Sequence, residues 1–288
     1  MQYELFPEIE SPKSPETKIS RAKGEVLVGD SLNVLKSFSA QSFQCCITSP
    51  PYWGLRDYGI KEQIGAETNL GDYLSRLVDI FDEVRRVLSD DGTLWLNIGD
   101  SYTSGGRTWR DSDKKNPARG MNYRPPTPDG LKPKDLIGVP WRLAFALQDA
   151  GWYLRSDIIW CKNNGLPESV KDRPSRIHEY IFLMSKSEKY LYNHEVVREP
   201  AVNGKKRNCR SVWNINTEGF KEAHFATFPR ELVTRCLLAG TAPNSIVLDP
   251  FFGSGTVGEV CDLFDRRFVG IELNPEYVEI AKRRLRWN

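Results

Sequence analysis

Ser245-Ile246-Val247-Leu248-Asp249-Pro250-Phe251-Phe252-Gly253-Ser254-Gly255-Thr256, continued after a short helix by Arg267-Phe268-Val269-Gly270-Ile271-Glu272, is the stretch that decides the fold. An apolar run of strand length ends in an acid, and a turn with two glycines leads into a helix through Leu263. A second apolar run then ends in another acid, 23 residues after Asp249. Strand, glycine turn, helix and acid-ended strand form the pattern that binds an adenosine-bearing cofactor. The glycines let the backbone approach, and Glu272 can accept hydrogen bonds from both ribose hydroxyls. The three-glycine pyrophosphate fingerprint is not met, so the turn alone could be a plain strand-to-helix connection; the strand before it and the acid after it favour the cofactor. Asn274 caps a last helix opened by Pro275.

This unit ends the chain, so the other strands of a doubly wound sheet must come from upstream, which predicts a circularly permuted α/β fold. Glu25 to Asp30 reads as a strand with a helix after it (Leu32, Leu35, Phe38), and Ser42 to Thr48 as a second strand. Leu74, Leu77, Val78, Phe81, Val84 and Leu88 fall on one helical face with Asp72 near its start. Asp90-Asp91-Gly92 then turns into the strand Thr93 to Ile98. That strand, helix, strand order predicts a parallel pair. A helix from Ile137 to Ala150 with Pro140 in its first turn follows, then strands Tyr153 to Trp160 and Glu179 to Met184, and a helix with Pro229 in its first turn. The permutation would set the carboxyl end of the Asp249 strand beside that of the Thr48 strand, across the switch point where ligands bind.

At that second strand end stands Thr48-Ser49-Pro50-Pro51-Tyr52-Trp53. Neither proline can donate to a ladder and both disfavour helix before them, so the chain leaves the sheet as a stiff extended turn. The turn presents a hydroxyl, fixed carbonyls and two aromatics. A proline-rich loop packed over aromatics is the plainer alternative, and for Trp53 core packing is the stronger reading.

The 288 residues, 40% hydrophobic and 27% charged, suit a soluble globular protein. We expect a flexible arm over 1–23 and a single domain over 24–288. No apolar run approaches a membrane span and the amino terminus lacks a secretory pattern, so a cytoplasmic location is expected. Six cysteines form no CxxC pair and three histidines stand apart from them, which supports neither a metal site nor a disulfide framework. The net charge of +2 hides local excesses: residues 105–124 hold six Lys or Arg against two Asp, and 198–210 hold five against one Glu. With the loop 163–176 these are basic insertions near 104–135, 163–176 and 198–212.

The Thr-Ser-Pro-Pro-Tyr-Trp segment resembles the catalytic motif of DNA amino-methyltransferases, and Asp249 to Thr256 resembles their S-adenosylmethionine loop. Catalytic motif first and cofactor motif last is the order of the β class. Val28-Gly29-Asp30-Ser31, Asp157 to Lys162 and His224 to Pro229 are similar to further segments of the family, so the likeness spans nearly all of residues 24–286. It implies a Rossmann-like methyltransferase fold, a mostly parallel seven-stranded sheet with helices on both faces. It also implies that Glu272 holds the ribose, that Asp249, Pro250, Phe251, Gly253, Gly255 and Thr256 hold the methionine end, and that Asp30 holds the adenine amine. Of Phe251 and Phe252, one is expected in the core.

The chemistry fits those residue types. The lone pair of an exocyclic amine is delocalised into its ring; Ser49 Oγ and the Pro50 carbonyl, accepting its two N–H bonds, would favour a tetrahedral nitrogen aimed at the methyl donor. Ser49, Pro50, Pro51 and Tyr52 are the catalytic candidates. Ring C5 methylation would need an attacking cysteine, and no Pro-Cys occurs in the chain. The target lies inside a duplex and must be flipped, with Tyr52 stacking on it and Trp53 beside it. Double-stranded DNA would meet Arg107, Arg110, Lys114, Lys115, Arg119, Lys171, Arg173, Lys205, Lys206 and Arg207, each of which could otherwise be solvated surface. In the family, serine before Pro-Pro-Tyr goes with cytosine N4 and aspartate with adenine N6. A site-specific cytosine-N4 methyltransferase is therefore expected, monomeric or homodimeric, in a restriction-modification setting with a cognate endonuclease or as an orphan or phage enzyme. Adenine-N6 methylation, RNA or protein amide methylation and a non-catalytic DNA-binding protein are the alternatives.

Overall fold

The structure is a computed structural model describing residues 24–55, 60, 63–104, 109, 124–165, 168–202, 204–219 and 228–287. The expected arm and Arg107, Arg110, Lys114, Lys115 and Arg119 lie outside the described residues. In chain order the elements are β1 (Gly24–Val28), α1 (Ser31–Ser37), β2 (Phe43–Thr48), α2 (Leu70–Val87), β3 (Leu88–Ile98), α3 (Val139–Asp149), β4 (Tyr153–Cys161) and β5 (His178–Ser185). Then follow β6 (Glu199–Pro200), β7 (Lys206–Arg207), β8 (Val212–Asn214), α4 (Arg230–Gly240), β9 (Ile246–Asp249), α5 (Thr256–Leu263), β10 (Arg267–Glu272) and α6 (Pro275–Arg284).

The main sheet runs β1-β10-β9-β2-β3-β5-β4-β8. β1, β10, β9, β2 and β3 pair in parallel, and β5 lies antiparallel between β3 and β4. The sheet has eight strands where seven are expected. The addition is β8, three residues paired in parallel with Ile159 to Cys161 at the sheet edge, too short to show an alternating period. β6 and β7 form a separate two-stranded hairpin.

Helices cover both faces because the strands alternate apolar side chains to each. Leu35 of α1, Leu77, Phe81 and Val84 of α2 and Leu143 of α3 pack with Leu94, Leu96 and Phe182. Leu232 and Cys236 of α4, Val257 of α5 and Ala281 of α6 pack with Cys45, Ile47, Trp95 and Val247 on the other side. The buried stripe of α2 takes in Tyr73 and Ile80, while the expected Leu74 and Val78 are only half-buried. Asn69 caps this helix by accepting from the Asp72 N–H at 2.8 Å, and Asp72 stands in the first turn, where its charge favours the helix dipole.

Two expected boundaries move. Asp90-Asp91-Gly92 lies within β3 as an irregularity, where pairing with β2 passes from Phe43–Leu88 to Cys45–Thr93. A side chain at Gly92 would run into the Ser89 carbonyl at 2.9 Å, which is why glycine stands there. Pro229 is the cap of α4, in extended backbone, and the helix begins one residue later.

Candidate active site

β9 leads through α5 to β10 on one side and β2 leads through α2 to β3 on the other, so the carboxyl ends of β9 and β2 flank the switch point. Beyond the pairing of the two strands, Thr48 Oγ1 donates to Asp249 Oδ1 at 2.6 Å, and the Phe251 N–H donates to the same oxygen at 3.1 Å. Asp249 is 3% exposed. Burial pushes its carboxyl up to about 7, against the pull of those two donors and with a further push from Glu272.

From Asp249 the cofactor half follows the local chemistry of the turn. Gly253 and Gly255 take φ of 53° and 84°, left-handed values open to glycine, and Gly255 caps α5. The Gly253 and Asn274 N–H groups hold the two oxygens of Glu272 at 2.8 and 2.9 Å, while burial raises the Glu272 carboxyl. Phe252 is the phenylalanine in the core, stacked on Phe268 with ring centres 5.5 Å apart; Phe251 lines the cleft. Asp30 also lines the cleft, but it caps α1 by accepting from the Asn33 N–H at 3.0 Å, so one of its oxygens serves the fold. Thr256 Oγ1 accepts from Arg284 at 2.9 Å.

The catalytic half is braced from beneath. Pro50 is buried, the Pro51 carbonyl accepts from the Tyr73 hydroxyl at 2.9 Å, and the Gly54 N–H reaches the Gly65 carbonyl at 2.8 Å. Trp53 is 4% exposed and its indole N–H donates to the Glu67 carbonyl at 3.0 Å. A ring so placed cannot face DNA, so the expected contact is corrected to a packing role. Tyr52 points the other way. Its hydroxyl donates to Glu179 Oε2 at 2.8 Å and lies 3.3 Å from Asn97 Oδ1 and 3.5 Å from Ser49 Oγ. Asn97 Nδ2 donates to the same Glu179 oxygen at 3.1 Å and to the Tyr180 carbonyl at 3.0 Å. Lys162 pairs with Glu179 Oε1, and its ammonium sits 4.5 Å from the centre of the Trp160 ring. Burial opposes the charge on Glu179, yet Lys162 and the bonds from Tyr52 and Asn97 outweigh it and hold the carboxyl below its usual range.

Asn97 and Glu179 were missed in the sequence, and Lys162 carried no assigned role. What signal they gave was weak: an amide within the apolar run Leu94 to Ile98 of β3 and an acid just before the apolar run of β5. Polar side chains buried at strand ends need partners, and here they find one another across β3, β5 and β4.

Both halves line one cleft of about 390 Å³, within the size range of small-molecule sites. Phe251 and Ile271 supply apolar wall, and Glu272 and the open glycine turn supply acceptors and close backbone approach. These residues fit an adenosine-bearing cofactor. Cys45, in the strand beneath, is fully buried and its thiol is pushed up to about 12 by burial, which leaves it inert. Among the basic residues, Lys171, Lys205 and Lys206 are exposed. Arg173 lies 3.8 Å over the Tyr102 ring and pairs with Glu168 at 2.6 Å. Arg207 and Arg210 both bond to Oε1 of the buried Glu199, at 2.8 and 2.7 Å, and so shape the β6–β7 hairpin.

The family model for DNA methylases of the N6/N4 type matches residues 43–283. The chain belongs to this DNA methylase family. Type II methyltransferase M.Cfr9I of Citrobacter freundii is 65% identical over 257 residues, 89% of this chain and 86% of the relative. Type II methyltransferase M.SmaI of Serratia marcescens is 64% identical over 263 residues, 91% of this chain and 90% of the relative. In solved structures, PvuII DNA methyltransferase (cytosine-N4-specific) superposes with a TM-score of 0.69 at 22% identity, covering 91% of this chain and 86% of that one, a likeness of fold. The methylase is of the β class, with Ser49-Pro50-Pro51-Tyr52 preceding the cofactor unit, and S-adenosylmethionine is its methyl donor. Its substrate is DNA. Among the described residues no helix is long and apolar enough to cross a membrane.

Proposed function

We propose that this methylase transfers a methyl group to the exocyclic N4 amine of a flipped cytosine in a short duplex sequence, in the cytoplasm and within a restriction-modification system. The observation that carries the reading is a neutral hydroxyl, Ser49 Oγ, standing where an acid would suit adenine and lining the same cleft as the Gly253 turn and Glu272. The fold shared with a neighbour described as cytosine-N4-specific supports the same choice.

In this reading Glu272 holds the ribose, Asp249 and the turn from Pro250 to Thr256 hold the methionine end, and Asp30 takes the adenine amine with its remaining oxygen. Bound there, the cofactor supplies an electrophilic methyl group on a sulfonium. Ser49 Oγ and the Pro50 carbonyl accept the two amine N–H bonds and turn the nitrogen lone pair into the cleft; positioning is the main catalytic device. Pro51 acts as the brace, because its carbonyl is already held by Tyr73. The Tyr52 ring stacks on the base. Lys171, Lys205 and Lys206 contact phosphates, and Arg173, Arg207 and the basic residues of 105–124 are proposed as further DNA contacts. DNA from a methylation-free host expressing the protein, digested to nucleosides and analysed by mass spectrometry, tests the reading. N4-methylcytosine is expected, and N6-methyladenine in its place would overturn the base assignment.

A further inference from the structure

We infer that Glu179 sets the direction of the hydrogen bonds running from Tyr52 to Ser49, so that Ser49 offers an acceptor to the target and the site admits an amine in preference to an oxo group. This rests on the base-methylating reading above and adds a positioning residue that acts through Tyr52.

The Tyr52 hydroxyl has one proton, and on its inner side it meets Glu179 Oε2 at 2.8 Å and Asn97 Oδ1 at 3.3 Å. Both are acceptors. The orientation of Asn97 is fixed because its Nδ2 faces Glu179 Oε2 at 3.1 Å and the Tyr180 carbonyl at 3.0 Å, neither of which can donate. Ionised, Glu179 is an acceptor only, with no proton of its own to give Tyr52, and Lys162, itself set over the Trp160 ring, favours that form. Tyr52 therefore commits its proton inward and turns lone pairs toward Ser49 Oγ, 3.5 Å away. The Ser49 proton is then drawn to Tyr52, and the Ser49 lone pairs are left for the cleft. That separation is long, as catalytic hydrogen bonds often are before a substrate fills the site. An amine N–H meets an acceptor there, whereas a carbonyl oxygen would meet lone pairs. The sequence positions involved lie on four separate segments, 49–52, 97, 162 and 179, so the direction is a property of the fold.

Glu179→Gln is nearly isosteric but removes the charged acceptor that Tyr52 and Asn97 share, so that only Asn97 Oδ1, at 3.3 Å, still draws the Tyr52 proton inward and Tyr52 can turn it to Ser49. The target is first mapped by sequencing DNA modified by the wild-type protein. Binding is then measured, with S-adenosylhomocysteine present so that nothing turns over, to duplexes carrying cytosine or uracil at that position. The wild-type protein is expected to prefer cytosine by at least tenfold, and Glu179→Gln to lower that ratio by roughly tenfold or more, the weight of one mismatched hydrogen bond. A merely structural role for Glu179 would weaken both duplexes alike and leave the ratio standing, which would overturn the inference. Tyr52→Phe, which keeps the ring and cuts the chain, should lower the ratio by itself, with Glu179→Gln adding nothing on top; additive losses would equally overturn it. Nucleoside analysis of wild-type product reads the base assignment separately. If the product is N6-methyladenine, the same ratio is taken with adenine against hypoxanthine, and the same outcomes decide.

Discussion

Replacing Asp249 by Asn should flatten the pH dependence of stability. Asp249 is 3% exposed and its carboxyl is pushed from 3.8 to about 7, chiefly by burial. A shift of about three units, at about 1.4 kcal/mol per unit, means that ionising it in the folded protein costs roughly 4 kcal/mol more than in the unfolded chain. The folded state binds the proton more tightly, so stability from this group is complete below pH 3.8 and is lost as pH rises through about 7. Between pH 5 and pH 8 the loss amounts to roughly 2–3 kcal/mol. Asn has no proton to lose, and its Oδ1 can still accept from Thr48 and the Phe251 N–H. Urea unfolding of the cofactor-free proteins at pH 5, 6, 7 and 8 measures this directly. The stability of the wild-type protein minus that of Asp249→Asn should fall by roughly 2–3 kcal/mol across the range. A difference that stays constant with pH would refute the assignment of a protonated, buried carboxyl at this strand end.

Ser49→Ala should lower turnover by about a hundredfold, as loss of one preorganised hydrogen-bonding group does, while cofactor affinity by calorimetry stays within about twofold; equal loss of both would give Ser49 a structural role. Leu77→Ala, in the fully buried stripe of α2, should cost about 2–5 kcal/mol in chemical denaturation, and a smaller cost would show that the helix repacks. Lys171→Ala and Lys206→Ala should each reduce the salt dependence of DNA binding by about one counterion without changing which sequence is modified; altered specificity would show that these side chains read bases.

The cofactor half was legible because its information is local. A strand, two glycines at left-handed positions and an acid after the next strand are adjacent in sequence, and the permuted order followed from their place at the end of the chain. The neighbourhood of Thr48 and Asp249 was legible for the same reason: once the order is permuted, the switch point has only one pair of strand ends to bring together. What escaped detection depends on tertiary contact. Asn97, Lys162 and Glu179 each look like a polar residue in or beside an apolar run, and only the antiparallel insertion of β5 between β3 and β4 shows them to be one network. The antiparallel sense of β5 itself leaves no mark in an apolar run of strand length. β6, β7 and β8 are two or three residues long, below the span in which a period can be counted. Trp53 was open between the core and DNA, with the core favoured, and its burial together with the bond from its indole N–H to the Glu67 carbonyl decides for the core.

Transfer to an amine of cytosine at Ser49 can be read from the product itself. Unmethylated duplex DNA is incubated with the pure protein and S-adenosylmethionine bearing a trideuterated methyl group, digested to nucleosides and analysed by mass spectrometry. Trideuteromethyl label is expected on cytosine N4, forming about a hundredfold more slowly with Ser49→Ala; label on adenine N6, or on no nucleoside, would rule out cytosine as the target.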